Sequence, residues 1–213
     1  MKILTHIRVY ITVGILLSNA TLAESSSINI KSWKALKRQD ISLQTLDYSC
    51  GAAALSILLK GYFNHQEATE PVLLADLIYR LPSVEMENRV QYGFSMLDLK
   101  QVAERLGYQA VGLRLHPRSI ERLDGPFIIL LKSDELNHFV VLKGIRHGHA
   151  WIADPSRGNL RVAMHELVSQ WTGESLIIDH DDFSRHYNHV LAVPSGVVPE
   201  QELVRSMQRV RLN

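Results

Sequence analysis

The chain has 213 residues, of which 46% are hydrophobic and 21% charged, with a formal net charge of +1. That length and composition suit one globular domain with a real core and exclude a disordered or collagen-like polymer. With 23 Lys and Arg against 22 Asp and Glu, there is no basic excess or stripe, so nucleic acid and anionic membrane surfaces are not expected partners.

The first 23 residues, MKILTHIRVYITVGILLSNATLA, read as a cleaved secretory signal peptide. Lys2 and Arg8 precede an apolar stretch from Val9 to Leu17, and Thr21 and Ala23 supply small residues before the cut. The uncharged run is shorter than the roughly 20 residues that span a bilayer. Cleavage after Ala23 leaves 21 basic and 22 acidic side chains, and the expected mature protein is soluble, periplasmic or secreted, without stable membrane insertion. Residues 24–213 are expected to form a single domain with its core at about 40–195.

Residues 24–43 are polar and mixed. From Cys50, the run Ala52, Ala53, Ala54, Leu55, Leu58, Leu59 before Gly61 predicts a buried helix over 50–61. Thr69 and Pro71 with Leu73, Leu74, Leu77 and Ile78 predict a second helix. Ser95 with Asp98 opens a third as a capping-box variant, and Gly107 closes it.

Beyond Gly107 the pattern turns to strands: YQAVGLRL, then a short helix over Ser119–Leu123, then PFIILL. HFVVLKGI and AWIADP flank RHGH, whose glycine permits a hairpin turn. A short strand near Leu160–Val162, a helix over His165–Gln170, and the strands SLIID and HVLAVP follow, with a helical tail at 198–213. Helices lie mostly in the first half and strands in the second, which indicates an α+β fold. Trp33, Trp151 and Trp171 are read as core or edge packing.

Cys50 is the only cysteine. In an exported protein structural cysteines come in pairs, so a single one is either an inert buried thiol, one half of an intermolecular bridge, or reactive. At the first turn of a helix its sulfur faces unsatisfied backbone N–H groups and the positive end of the helix dipole, which favours thiolate.

A thiolate nucleophile needs a positioned base. Among ten histidines, His138 begins the apolar strand HFVVL, and the hairpin at RHGH folds Asp154 at the end of the next strand back beside it. An upstream side-chain amide can stabilise the oxyanion of acyl transfer. Gln44 and Gln39 both qualify on spacing.

The segments QTLDYSCGAAAL (44–55), GFSMLDL (93–99), HFVVLKGI (138–145) and IADPSRG (152–158) together resemble the papain-like cysteine peptidase domains of bacteriocin-processing ABC transporters, and more closely their stand-alone exported relatives. The resemblance covers roughly residues 40–175. It implies a papain-like fold, a Cys50, His138, Asp154 triad, and Gln44 rather than Gln39 as oxyanion donor. It implies no cofactor, a protein or peptide substrate, and hydrolysis of a peptide bond. Relatives in transporters usually carry an acidic residue directly before the cysteine, where this chain has Ser49, with Asp47 two positions further back, so the resemblance does not by itself imply their cleavage preference after a double glycine. No ATP-binding motif follows. Two other readings share these residues: a thiol acyltransferase or cell-wall amidase, and a catalytically silent binding or chaperone module for an exported or pilus protein. His180, Asp181, Asp182, His186 and His189 match no compact ligand spacing, and that segment is read as a polar loop without metal.

Overall fold

The computed structural model describes residues 32–132, 137–181 and 189–193. The expected signal peptide and the tail at 198–213 lie outside the described residues.

Six helices precede or interleave six strands: α1 (Trp33–Lys37), α2 (Cys50–Gly61), α3 (Glu70–Arg80), α4 (Ser83–Tyr92), α5 (Met96–Arg105), β1 (Gln109–Arg114), β2 (Phe127–Lys132), β3 (Asn137–Arg146), β4 (His149–Asp154), β5 (Gly158–Ala163), α6 (Met164–Gln170) and β6 (Trp171–Asp179). The strands form one antiparallel sheet in the order β1-β6-β2-β3-β4-β5. The fold is α+β, as the sequence pattern predicts.

α2 is the central helix. Every residue from Cys50 to Leu59 is buried, which explains an apolar run with no polar face. Its small residues let it sit between α5 and the sheet: a Cβ on Gly51 would come within 3.1 Å of Leu99 Cδ2 and 3.3 Å of Phe139 Cδ2. Leu55, Leu58 and Leu59 are fully buried, each contributing about 1.5–3 kcal/mol from removal of apolar surface from water.

Both faces of the sheet are covered, which is why β2 and β3 read as continuous apolar runs rather than alternating ones. Ile128, Phe139, Val141 and Ala153 pack with α2, α3 and α5. Phe127, Ile129, Leu131, Val140, Leu142 and Ile152 pack on the other side with Ile120, Leu167 and Trp171.

Local chemistry sets the boundaries. Ser95 caps α5 by accepting from Asp98 N at 3.2 Å, and the Asp98 carboxylate accepts from Ser95 N at 2.7 Å. The helix closes at Gly107 (φ 91°), where Tyr108 N donates to Ala103 O at 3.1 Å. His147 (φ 50°) and Gly148 (φ 71°) form the two-residue β3–β4 turn, the positive pair of dihedrals that a tight hairpin requires.

Two expectations are corrected. The short helix near Ser119 is a 3₁₀ turn over Pro117–Arg122, started by Pro117 and by His116 Nδ1 accepting from Arg118 N. HVLAVP is no strand over its described residues 189–193: Ala192 N closes a turn on His189 O at 2.9 Å, and Leu191 plugs against Gly61 at the end of α2. Trp171 begins β6, where it is 2% exposed with Nε1 donating to Glu174 O at 3.0 Å. Trp151 is half-buried beneath the Arg161 guanidinium, and the Trp33 side chain lies outside the described residues.

Candidate active site

Cys50 is the first residue of α2. Ser49 precedes it at the cap position, fully buried, but its hydroxyl turns back, donating to Leu46 O at 2.9 Å and accepting from Leu46 N at 3.1 Å. It therefore makes no hydrogen bond to the first turn of α2. The first-turn N–H groups and the positive end of the dipole stay directed at the cysteine.

The β3–β4 hairpin performs the fold-back that the sequence requires. Val141 pairs with Ala153, so Asp154 at the end of β4 comes within reach of His138 near the start of β3. His138 Nε2 and Asp154 Oδ1 are 2.9 Å apart. The Cys50 side chain acts on the same imidazole, favouring its charged form after Asp154 does. Three residues separated by up to 104 positions in the chain thus form one line: sulfur, ring, carboxylate.

Burial makes the electrostatics strong. Asp154 has no exposed surface, yet both of its oxygens are occupied. Oδ1 also accepts from Ser156 N (2.8 Å), Ser156 Oγ (2.8 Å) and Arg157 N (3.0 Å), and Oδ2 accepts from Arg157 Nε at 2.7 Å. Burial alone would raise its pKa, but the His138 hydrogen bond and charge, with Ser156 and Arg157, hold it well below the usual carboxylate range. For His138 burial pulls the other way, disfavouring the charged ring, and Asp154 and then Cys50 overcome it, raising the pKa to about 9. At neutral pH the ring is an imidazolium. Cys50 is only 2% exposed whereas the His138 side chain is 19% exposed, so the line opens to solvent at the ring.

Gln44 lies on the loop that leads into α2. Its backbone N donates to Pro155 O at 2.9 Å, tying it to the turn that carries Asp154. Its amide Nε2 donates to Leu46 O at 3.0 Å and reaches Asp47 O at 3.5 Å, and its buried Oε1 has no partner among the described residues. The amide is thus folded over the loop. Gln39, the other candidate glutamine, is exposed, and its carbonyl accepts from Asn159 Nδ2 at 2.9 Å.

Ser156, Arg157, Thr45 and Glu70 join the site without having been singled out in the sequence. An aspartate followed by Pro-Ser-Arg-Gly is a turn in which the carboxylate takes the following N–H groups, and that signal was present for Ser156 and Arg157. Glu70 in a first helical turn reads as a solvated helix-dipole residue, and nothing local distinguishes it.

Elsewhere, a cleft lined by Arg38, Asp40, Lys60, Tyr62 and His189 lies at the other end of α2, away from Cys50. Among the described residues no group of three His, Cys, Asp or Glu side chains could hold a metal ion, and residues 182–188 of the His-rich segment lie outside them. Among the described residues no helix is long and apolar enough to cross a membrane.

Comparison with known proteins gives the family. The pattern of the peptidase C39 family matches residues 38–183. The probable functional amyloid protease FapD of Pseudomonas aeruginosa is 30% identical over 176 residues, covering 83% of this chain and 76% of that protein. The lactococcin-G-processing and transport ATP-binding protein LagD of Lactococcus lactis is 25% identical over 136 residues, which is 62% of this chain but 18% of LagD. Among solved structures, the peptidase domain of Streptococcus ComA, a bifunctional ABC transporter, superposes with a TM-score of 0.55 at 20% identity, over 66% of this chain and 98% of that domain. A C39-like peptidase structure from Bacillus anthracis gives 0.50 at 15% identity, over 68% and 95%. A match over residues 38–183, most of the chain, places this protein in the peptidase C39 family of cysteine peptidases.

Proposed function

We propose that the protein is an exported cysteine peptidase that hydrolyses a peptide bond in an exported protein through Cys50, His138, Asp154 and Gln44. The observation that carries the reading is the His138–Asp154 pair, with Nε2 2.9 Å from Oδ1 of a fully buried carboxylate, on the same ring that the Cys50 side chain at the start of α2 helps to charge.

The chemistry follows from the charges. His138 takes the Cys50 proton, giving the thiolate and imidazolium from which attack proceeds. The thiolate attacks the peptide carbonyl, forming the S–C bond and an oxyanion. The Cys50 N–H and the Gln44 amide donate to that oxygen, the amide exchanging its long 3.5 Å contact with Asp47 O for the new acceptor. His138 protonates the leaving amine as the C–N bond breaks. The neutral ring then takes a proton from water, the resulting hydroxide attacks the thioester, and the acid product leaves with the thiolate and imidazolium restored. Asp154 holds the ring through Nε2 throughout.

Residues 1–23 supply the export signal in this reading, with cleavage after Ala23. Similarity to probable functional amyloid proteases supports a substrate belonging to a functional amyloid system. The test compares the exported proteome of a strain carrying Cys50→Ser with its parent. The reading expects at least one exported chain to keep an uncut terminus in the variant, and identical termini throughout would overturn it. N-terminal sequencing of the exported protein checks the signal: a start at Glu24 is expected, and a retained Met1 would overturn it.

A further inference from the structure

Glu70 is 2% exposed, and among the described residues no Lys, Arg or His nitrogen lies within salt-bridge distance of it. A buried carboxylate without a cation is costly to keep. Among the described residues, its side-chain hydrogen bonds all go to one residue, Thr45: Oε1 accepts from Thr45 N at 3.2 Å and from Thr45 Oγ1 at 2.9 Å, and Oε2 lies 3.1 Å from Oγ1. The Thr69 side chain, which precedes it at the cap of α3, makes no capping bond, and the first-turn dipole of α3 faces the Glu70 charge.

Thr45 follows Gln44 directly, and the loop from Gln44 to Ser49 is then held at three points. Pro155 O holds Gln44 N at 2.9 Å, Glu70 holds Thr45, and Ser49 Oγ closes on Leu46. The first anchor belongs to the Asp154 turn and the last to the residue before Cys50. The middle one comes from a separate helix with no other part in the site.

We propose that Glu70 is a positioning residue for oxyanion stabilisation: through Thr45 it fixes the backbone at Gln44, and so the reach of the amide assigned to the developing negative oxygen. The proposal rests on the assignment of Gln44 and Cys50 made above. A donor displaced by about an ångström loses most of its worth in a preorganised site, so a clamp on the adjacent residue governs the rate without touching substrate. Glu70 Oε1 accepts from the Thr45 N–H and O–H together. Glutamine in its place offers one oxygen and an amide donor.

Two reactions of Cys50 separate this role from a structural one. Alkylation by iodoacetamide displaces iodide at a saturated carbon and builds no oxyanion. Acylation by p-nitrophenyl acetate forms the S–C bond at a carbonyl, passes through an oxyanion and expels p-nitrophenolate. Both are followed on full-length protein by intact mass, at a temperature where circular dichroism shows every variant folded.

Gln44→Ala, Glu70→Gln and Thr45→Val should each slow acylation, by about 10-fold or more for Gln44→Ala and by a smaller factor for the other two, while alkylation changes less than twofold. Adding Thr45→Val to Gln44→Ala should slow acylation by less than a further twofold, because both act on one donor. Equal loss in both reactions, unchanged acylation in both Glu70→Gln and Thr45→Val, or full multiplication of the two effects in the double variant would overturn the proposal. Wild-type protein acylated at Cys50 without dependence on His138 would overturn the proposed catalytic assignment as well, which distinguishes that failure from failure of the clamp alone.

Discussion

Replacing Asp154 by asparagine preserves the size of a fully buried side chain and removes its charge. The carboxylate accepts from His138 Nε2 at 2.9 Å on one oxygen and from Arg157 Nε at 2.7 Å on the other. Asparagine retains one acceptor and turns an NH₂ toward one of two donors, so at least one charge-assisted bond becomes a donor facing a donor. Breaking a buried pair from one side costs about 3 kcal/mol.

The effect on His138 is larger in kind, because burial pulls its pKa down and Asp154, ahead of Cys50, holds it up at about 9. Without the carboxylate, burial is opposed by Cys50 alone, and the pKa should fall by roughly 1–3 pH units. The assay is an NMR titration of the His138 imidazole in wild type, Asp154→Asn and Cys50→Ala, expected to give the highest value in wild type and the lowest in Asp154→Asn. An unchanged titration near pH 9 in Asp154→Asn would refute the claim that Asp154 sets the ring's charge.

The same pair fixes a stability window. The folded His138 titrates above its reference value of 6.5, so its contribution is complete below about pH 6.5 and is lost as pH rises through about 9. Asp154 is depressed below its reference of 3.8, so its contribution is present above that pH and is lost on acidification. The stability gap between wild type and Asp154→Asn should therefore be widest between about pH 4 and 6.5 and narrow above pH 9. A gap constant across that range would contradict the assignment.

Gly158→Ala should destabilise the protein by about 2–4 kcal/mol in thermal or urea unfolding, because a Cβ there would sit 2.3 Å from Lys37 O at a φ of 85°. A loss under 0.5 kcal/mol would show that α1 does not lie against β5. Ser95→Ala should cost about 1 kcal/mol through loss of the α5 cap, with Asp98→Ala costing a similar amount and the double variant less than the sum. Metal analysis of the purified protein should return no stoichiometric zinc, and treatment with EDTA should leave Cys50 acylation unchanged. A bound equivalent of zinc would revive the His-rich segment as a ligand set.

Much of the fold is legible because its signals are local. β2, β3 and β4 announce themselves as apolar runs bounded by turns, and the His147-Gly148 hairpin by its glycine. α2 is readable because burial on all sides excludes polar residues from 50 to 59. α4 is invisible by the same logic: SVEMENRVQY buries nothing, so it carries no apolar period. HVLAVP misleads because Leu191 is buried against the end of α2 instead of pairing in the sheet. At the site, Cys50, His138 and Asp154 are legible from chemical type and hairpin logic. Glu70 is not, because its partner lies 25 positions away and a glutamate opening a helix looks the same whether it faces water or a loop.

The proposed chemistry turns on Cys50 attacking carbonyl carbon with His138 as its partner. Acid-quenched intact-mass analysis after brief exposure to p-nitrophenyl acetate tests this most directly. It should show one acyl group on Cys50 in wild-type protein, and none above background in His138→Ala at neutral pH. Acyl groups on other residues, or an equal yield in His138→Ala, would contradict it.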